Sequence, residues 1–165
     1  ASWISLRTTS LPRKTLLLNA IYSIVLGGVT VLLLMTQGVL SLKPWYSPSY
    51  MIPLGGMIFA NCMNSISLAA ERLESELKQG KPYEKAKVIA LRTSLIPITN
   101  MLLAVGLVSL PGMMTGQILS GVSPLIAVRY QIMVMCMIFG SSGISAAVFL
   151  HTAKDSFTET KNRFE

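Results

Sequence analysis

Charged side chains are scarce in this sequence. Only 13% of its 165 residues are Asp, Glu, Lys or Arg, against about 25% in soluble globular domains. Histidine occurs once, cysteine twice, and aromatic residues make up 7%. No His, Cys and carboxylate residues are grouped at the spacing of a zinc site, and no nucleophile–base pair presents itself. No glycine loop ends in Gly-Lys-Ser or Gly-Lys-Thr; Gly80-Lys81 is followed by Pro82, which rules out P-loop binding of ATP. These absences argue against a hydrolase, a soluble enzyme, a disulfide scaffold and a disordered tail. Cys62 and Cys136 fall inside apolar stretches and read as small buried hydrophobes.

What the chain has instead is length without charge. Residues 15–42, 44–70, 93–128 and 130–150 contain no Asp, Glu, Lys or Arg. A helix needs about 20 mostly apolar residues to cross the roughly 30 Å hydrocarbon core, so each stretch suffices. Mean hydropathy is +0.57. Spans are expected at 16–35, 51–70, 94–110 and 131–150. The expected fold is all-α, a polytopic transmembrane helical bundle of about four spans.

The net charge of +7 sorts by position. Arg7, Arg13 and Lys14 precede the first span. Arg72, Lys78, Lys81, Lys85, Lys87 and Arg92 lie between the second and third, and Lys154, Lys161 and Arg163 follow the fourth. Twelve of the fourteen basic residues therefore share one face, and only Lys43 and Arg129 fall on the other. By the positive-inside rule the crowded face is cytoplasmic. Both observed chain ends are then cytoplasmic, in a multi-pass protein of the inner (plasma) membrane. The basicity reads as topology, with some attraction to membrane lipid. Nucleic acid is not an expected partner, because no aromatic residues interleave with a basic groove. The sequence opens on Ala1 without a leader pattern, as expected of a processed or partial chain.

Along the chain, Gly27-Gly28 in the first span suits close helix packing, and Trp45, Tyr46 and Tyr50 suit the headgroup level. The second span opens Met51-Ile52-Pro53-Leu54-Gly55-Gly56-Met57 and continues through Asn61, Asn64, Ser65 and Ser67. Gly56, Ala60 and Asn64 recur every four residues, so they share a helix face. That face fits either close helix packing or a polar translocation face. Residues 71–80 are expected to prolong the helix into the cytosol, with Glu74 and Lys78 as an i,i+4 pair. Gly80 and Pro82 stop it, and Tyr83 begins the next helix. This helix-turn-helix insert, at about 71–92, is either a solvated connector or a docking surface. Pro97 and Asn100 lie in the third span. Pro111 to Gln117 is expected to be irregular backbone, buried or lining a wet cavity. Ser123 is expected to cap a helix with Pro124 at its first position, and Ser141 and Ser145 form a further packing face. Met133, Met135 and Met137 suit flexible apolar packing. Met113 and Met114 suit that or a soft metal.

The run Val105-Gly106-Leu107-Val108-Ser109-Leu110-Pro111-Gly112-Met113-Met114-Thr115-Gly116, with Gly121-Val122-Ser123-Pro124 and Ala127-Val128-Arg129-Tyr130-Gln131-Ile132, closely resembles the FetB-type permeases. These are bacterial iron-export membrane subunits, similar to plant aluminium-sensitivity permeases. Met51 to Met57 with Asn61 resembles the same family. The resemblance covers essentially the whole chain and implies a single transmembrane permease domain over 1–165, belonging to an ATP-binding-cassette transporter. It implies a separate cytosolic ATPase that docks on the insert, and two copies of each subunit. It also implies further spans in the full-length protein, because family members are longer at the amino end. The stretch Gly80-Lys81-Pro82-Tyr83-Glu84 is shorter than the family's connector.

On that reading the chain is no enzyme itself; its partner hydrolyses ATP, and no cofactor is expected. The expected substrate pathway comprises Asn61, Asn64, Asn100, Pro111, Gly112, Met113, Met114, Thr115, Gly116 and Gln117. The expected coupling residues are Glu71, Glu74, Lys78, Tyr83, Glu84 and Lys85. Force from the ATPase would pass along the second and third spans. Metal ligands stay unassigned. No acid lies within a span, so a metal cargo would meet amide, carbonyl or thioether groups, which leaves an organic or chelated cargo open beside iron. A non-transporting scaffold subunit of a membrane complex is the alternative of another class.

Overall fold

The computed structural model describes residues 13–40, 46–105 and 111–154, with side chains from Leu16 onward. Helix α1 spans Arg13–Leu33 and runs into a π-helical turn at Leu34–Val39. Helix α2 spans Pro48–Lys78, α3 Tyr83–Ala104, α4 Gly112–Leu119 and α5 Pro124–Thr152. Among the described residues four helices are long and apolar enough to cross a membrane: Leu16–Val39, Pro48–Lys78, Tyr83–Ala104 and Pro124–Thr152. In hydrocarbon backbone polar groups must find their partners within the chain, and the helix supplies them along its interior, leaving only its end turns to be satisfied otherwise. The all-α polytopic bundle expected from the charge-free stretches is the architecture observed.

The helix ends follow local chemistry. Pro48 and Pro124 occupy first-turn positions, where a missing N–H costs nothing. Ser123 precedes α5 as expected and its carbonyl accepts from Ile126 and Ala127. Its hydroxyl makes no capping bond, so this start rests on the proline and the backbone alone. At the end of α2, Gly80 adopts φ +78°, its N–H donates to Leu77 O, and the Lys81 N–H donates to Glu76 O. This pair of bonds is a Schellman turn, which needs a left-handed residue that glycine adopts without strain. The same arrangement closes α4, with Gly121 at φ +88° and bonds from Gly121 to Ile118 and from Val122 to Gln117.

Two expectations are corrected. The third span was expected to reach residue 110; α3 ends at Ala104, and Val105 is extended. Residues 106–110 of the expected span lie outside the described residues. The stretch expected to be irregular, Pro111 to Gln117, is helical from Gly112 onward. Pro111 sits at the N-cap, where its fixed φ starts a helix rather than breaking one. Glycine within it lowers helix propensity but does not forbid the conformation.

α5 packs against each of the other helices, and α2 packs on α1 and α3. The tightest approach lies between α1 and α5: a methyl group built on Gly27 would overlap the Ser145 side chain and come within 2.9 Å of its backbone nitrogen. Gly28 faces Ile58 and Phe59 of α2 at similar range. The glycine pair and the Ser141–Ser145 face thus pack closely, as read. Both cysteines are free thiols; Cys62 is buried as expected, whereas Cys136, also expected to be buried, is exposed on α5, because helical spacing turns it away from its buried neighbours Met135 and Met137.

Hydrogen bonds fix which helix ends lie together. Asn19 Nδ2 donates to Thr152 O at 3.1 Å, and Tyr83 OH donates to Leu150 O at 2.5 Å. The start of α1, the α2–α3 turn and the end of α5 therefore share one end of the bundle, here the hairpin end. Arg129 lies in the first turns of α5, at the opposite end; it is exposed and pairs with no acid among the described residues. Tyr46 and Tyr50 are exposed; Lys43 and Trp45 lie outside the described residues.

The outward faces differ. α1 presents Leu18, Tyr22, Val25 and Leu33, α3 presents Val88, Ile96 and Leu103, and α5 presents Leu125, Ile132 and Phe139. These are large apolar groups suited to lipid. The outward face of α2 instead carries Pro53, Gly56, Ala60 and Asn64.

Candidate functional site

The expected pathway residues fall into two groups. Asn61, Asn64 and Asn100 lie on α2 and α3, while Pro111 through Gln117 lie on α4, which packs chiefly on α5. With a rise of about 1.5 Å per residue, Asn61 and Asn100 are each about 26 Å from the hairpin turn, so they share a level. Asn61 is half-buried and its Nδ2 donates to Met57 O at 2.8 Å, within its own helix. Asn64 and Asn100 are exposed. The i,i+4 face of Gly56, Ala60 and Asn64 points out of this bundle rather than into it.

On α4, Met114 is buried, Pro111, Met113, Thr115 and Gln117 are half-buried, and Gly112 and Gly116 are exposed. Thr115 Oγ1 bonds back to Pro111 O at 3.2 Å, a local bond that satisfies the hydroxyl. Gln117 Oε1 is buried without a hydrogen-bond partner among the described residues. An unpaired buried carbonyl costs about 1–3 kcal/mol, which makes Gln117 the polar group of α4 with most to gain from a ligand. Met135 and Met137 are buried and Met133 packs against the core, in keeping with apolar packing. No three His, Cys, Asp or Glu side chains come together among the described residues.

The residues expected to couple to an ATPase gather at the hairpin end. Glu74 pairs with Lys78 at 2.7 Å, the i,i+4 pair read from their spacing. Glu71, Glu74, Ser75, Lys78 and Gln79 line an open depression on this part of α2. Glu84 meets Lys154 at 3.4 Å with both side chains more than half exposed, a pair that contributes little by itself. Lys85 is exposed. Tyr83 differs from the rest. It is half-buried, its hydroxyl is bonded to Leu150 O, and Lys154 Nζ lies 5.9 Å from its ring centre, within cation–π range. It ties the hairpin to α5 instead of facing outward.

The residue that sequence reasoning missed is Glu76. Its side chain is fully buried, with Arg72 at 2.6 Å and Lys81 bonded to its other oxygen. The signal was present as a base four residues before it and another five after it. The neighbouring Glu74–Lys78 pair, in the favourable helical order, masked it.

The profile of the family described as "Uncharacterised protein family (UPF0014)" matches residues 1–157. The chain is 43% identical over 137 residues, 73% of its own length and 53% of the relative's, to "UPF0014 membrane protein slr1647" of Synechocystis sp.. It is 28% identical over 178 residues, 99% of this chain and 67% of the relative, to "Probable iron export permease protein FetB" of Escherichia coli. It is 35% identical over 127 residues, 68% of this chain and 46% of the relative, to "Protein ALUMINUM SENSITIVE 3" of Arabidopsis thaliana. The chain thus spans about half the length of the first and third of these proteins. No solved structure matches it.

Proposed function

The chain belongs to the UPF0014 family, whose members include membrane proteins and a probable permease, and from that premise we propose that it is a membrane-spanning permease subunit of an ATP-binding-cassette transporter exporting iron or another metal. The observation that carries this reading is the alignment of 99% of the chain with the relative named as a probable iron export permease. A separate cytosolic ATPase drives transport and docks at the hairpin end, where Glu71, Glu74 and Lys78 line the open depression and Glu84 and Lys85 stand exposed beside it. The hairpin end faces the cytoplasm in this reading, which the concentration of basic residues there supports. Two permease copies work together in the inner membrane.

Asn61, Asn64, Asn100 and the α4 residues line the substrate pathway in this reading, which places Asn64 and Asn100 against a second copy or a further segment rather than against lipid. Polar side chains within a membrane are costly unless partnered. No carboxylate occurs in residues 1–70 or 85–154. That favours a chelated or organically bound metal, or an organic cargo, over a bare hard cation, which prefers carboxylate oxygens.

Co-purification from native membranes tests the reading. The full-length protein is expected to bring down an ATPase, and the double charge reversal Glu84→Lys with Lys85→Glu is expected to weaken that recovery. Gln117→Leu removes an unpartnered carbonyl, so it should leave the protein folded while metal efflux falls. If no ATPase is recovered and ATPase activity is indifferent to the protein, the scaffold alternative replaces the permease. Normal efflux with Gln117→Leu removes α4 from the pathway.

A further inference from the structure

We propose that Glu76 is the positioning residue of the α2–α3 turn, holding the docking surface in shape without itself touching the partner; the proposal rests on the docking reading above. Its side chain has 0% exposure, whereas those of Arg72 and Lys81 retain 43% and 41%. The acid is thus the enclosed member, and the two bases close over it from opposite sides, Arg72 from the helix and Lys81 from the turn. Lys81 is gripped twice, through its side chain by the Glu76 carboxylate and through its backbone N–H by the Glu76 carbonyl. Between these two residues lie Leu77, Lys78, Gln79 and Gly80, and Lys78 and Gln79 form one wall of the open depression.

The bond pattern sets what the carboxylate adds. Backbone bonds at a Schellman turn fix the chain reversal but leave the following side chains free to choose their direction. The carboxylate holds Lys81 and Arg72 as well, and so braces from both sides the segment that carries Lys78 and Gln79 of the depression. A charged hydrogen bond is about twice as strong as a neutral one; Lys81 makes such a bond to one oxygen of Glu76, and the other oxygen is held by the Arg72 ion pair at 2.6 Å. Removing the charge but keeping the shape, as in Glu76→Gln, leaves two bases that can turn to water. The helix should survive while the turn loosens, and a partner binding the loosened surface must order it again.

The test uses the full-length protein in lipid, with Cys136→Ala to remove the exposed thiol and a nitroxide attached at Gln79→Cys. In the parent the nitroxide is expected to be restricted; in Glu76→Gln it becomes mobile, and recovery of the co-purifying ATPase falls roughly fivefold at temperatures where both proteins stay folded. Lys81→Arg, which keeps a cation against the carboxylate beside Arg72, is expected to retain both readouts, which a dependence on packing alone would not allow. Lys81→Gln, altering the exposed partner, supplies the same contrast if Glu76→Gln does not fold. Superimposable nitroxide spectra, or unchanged ATPase recovery in a protein whose parent binds the ATPase, overturn the proposal. A mobile nitroxide in Glu76→Gln with no ATPase recovered even by the parent keeps the positioning role and overturns the docking reading instead.

Discussion

Gly27 has no room for a side chain, since a methyl group there meets the backbone of Ser145 as well as its hydroxyl. Overpacking at such a contact costs about 1–3 kcal/mol, because neither helix can withdraw alone. Gly27→Ala should therefore lower the melting temperature of the purified protein in detergent. Gly140→Ala, on α5 with nothing within 4 Å of the new methyl, should raise stability by about 0.5–1 kcal/mol through helix propensity. Equal melting shifts for the two variants would contradict the packing described. The role of Gly27 could be read from the sequence because glycine inside a span has few other uses. Asn64 was legible as a functional candidate but not in its direction; four-residue spacing says that Gly56, Ala60 and Asn64 share a face, and nothing in it says whether that face looks inward. Glu76 was legible only in part: its pairing with Arg72 follows helical spacing, but its enclosure also needs Lys81 to fold back across the turn, a contact beyond the reach of helical spacing rules.

Among the elements, the long helices and the stop at Gly80 were legible, because runs without charge and a glycine followed by Pro82 act locally. Gly80 adopts φ +78°, and a side chain in that conformation costs about 1–2 kcal/mol. Gly80→Ala is expected to weaken the turn by that amount and to speed hydrogen exchange of the Gly80-site and Lys81 amides, which donate to Leu77 and Glu76. Unchanged exchange there would mean that the turn holds without its left-handed residue. The short helix α4 was misread for a physical reason. Proline ends a helix that arrives at it and begins one that leaves it, and composition alone does not say which side is helical. Here the helix leaves: Pro111 is the N-cap and Gly112–Leu119 follows. The π-helical turn at Leu34–Val39 had no sequence signal; it shows in the bond from Leu40 N–H to Met35 O, five residues back.

At the scale of the whole molecule the basic residues give the clearest prediction. Cysteines placed singly at Gln79 and at Gly121, in a Cys136→Ala background, sit at opposite ends of the bundle. An impermeant maleimide applied to intact cells should label Gly121→Cys, while Gln79→Cys should react only after the membrane is opened. The reverse pattern would invert the topology. The charge partition that makes this prediction was read from the sequence, and the basic residues among those described lie at the ends expected of them, whereas the dominance of α5 as the helix touching all others was not legible, since it arises from packing between distant segments. A last consequence follows from the length of α2. Its 31 residues extend about 46 Å, well beyond the roughly 30 Å hydrocarbon layer, and Gly28 of α1 abuts it at Ile58 and Phe59. That contact divides the helix into unequal arms of about 28 Å toward Lys78 and about 17 Å toward Pro48. If α2 pivots at that contact, it is a lever with its fulcrum off centre. A rocking of about 10° would then carry the hairpin tip about 5 Å and the far end about 3 Å the opposite way, at the arm lengths set by helical rise. A broad stroke at one surface would become a shorter and more forceful one at the other.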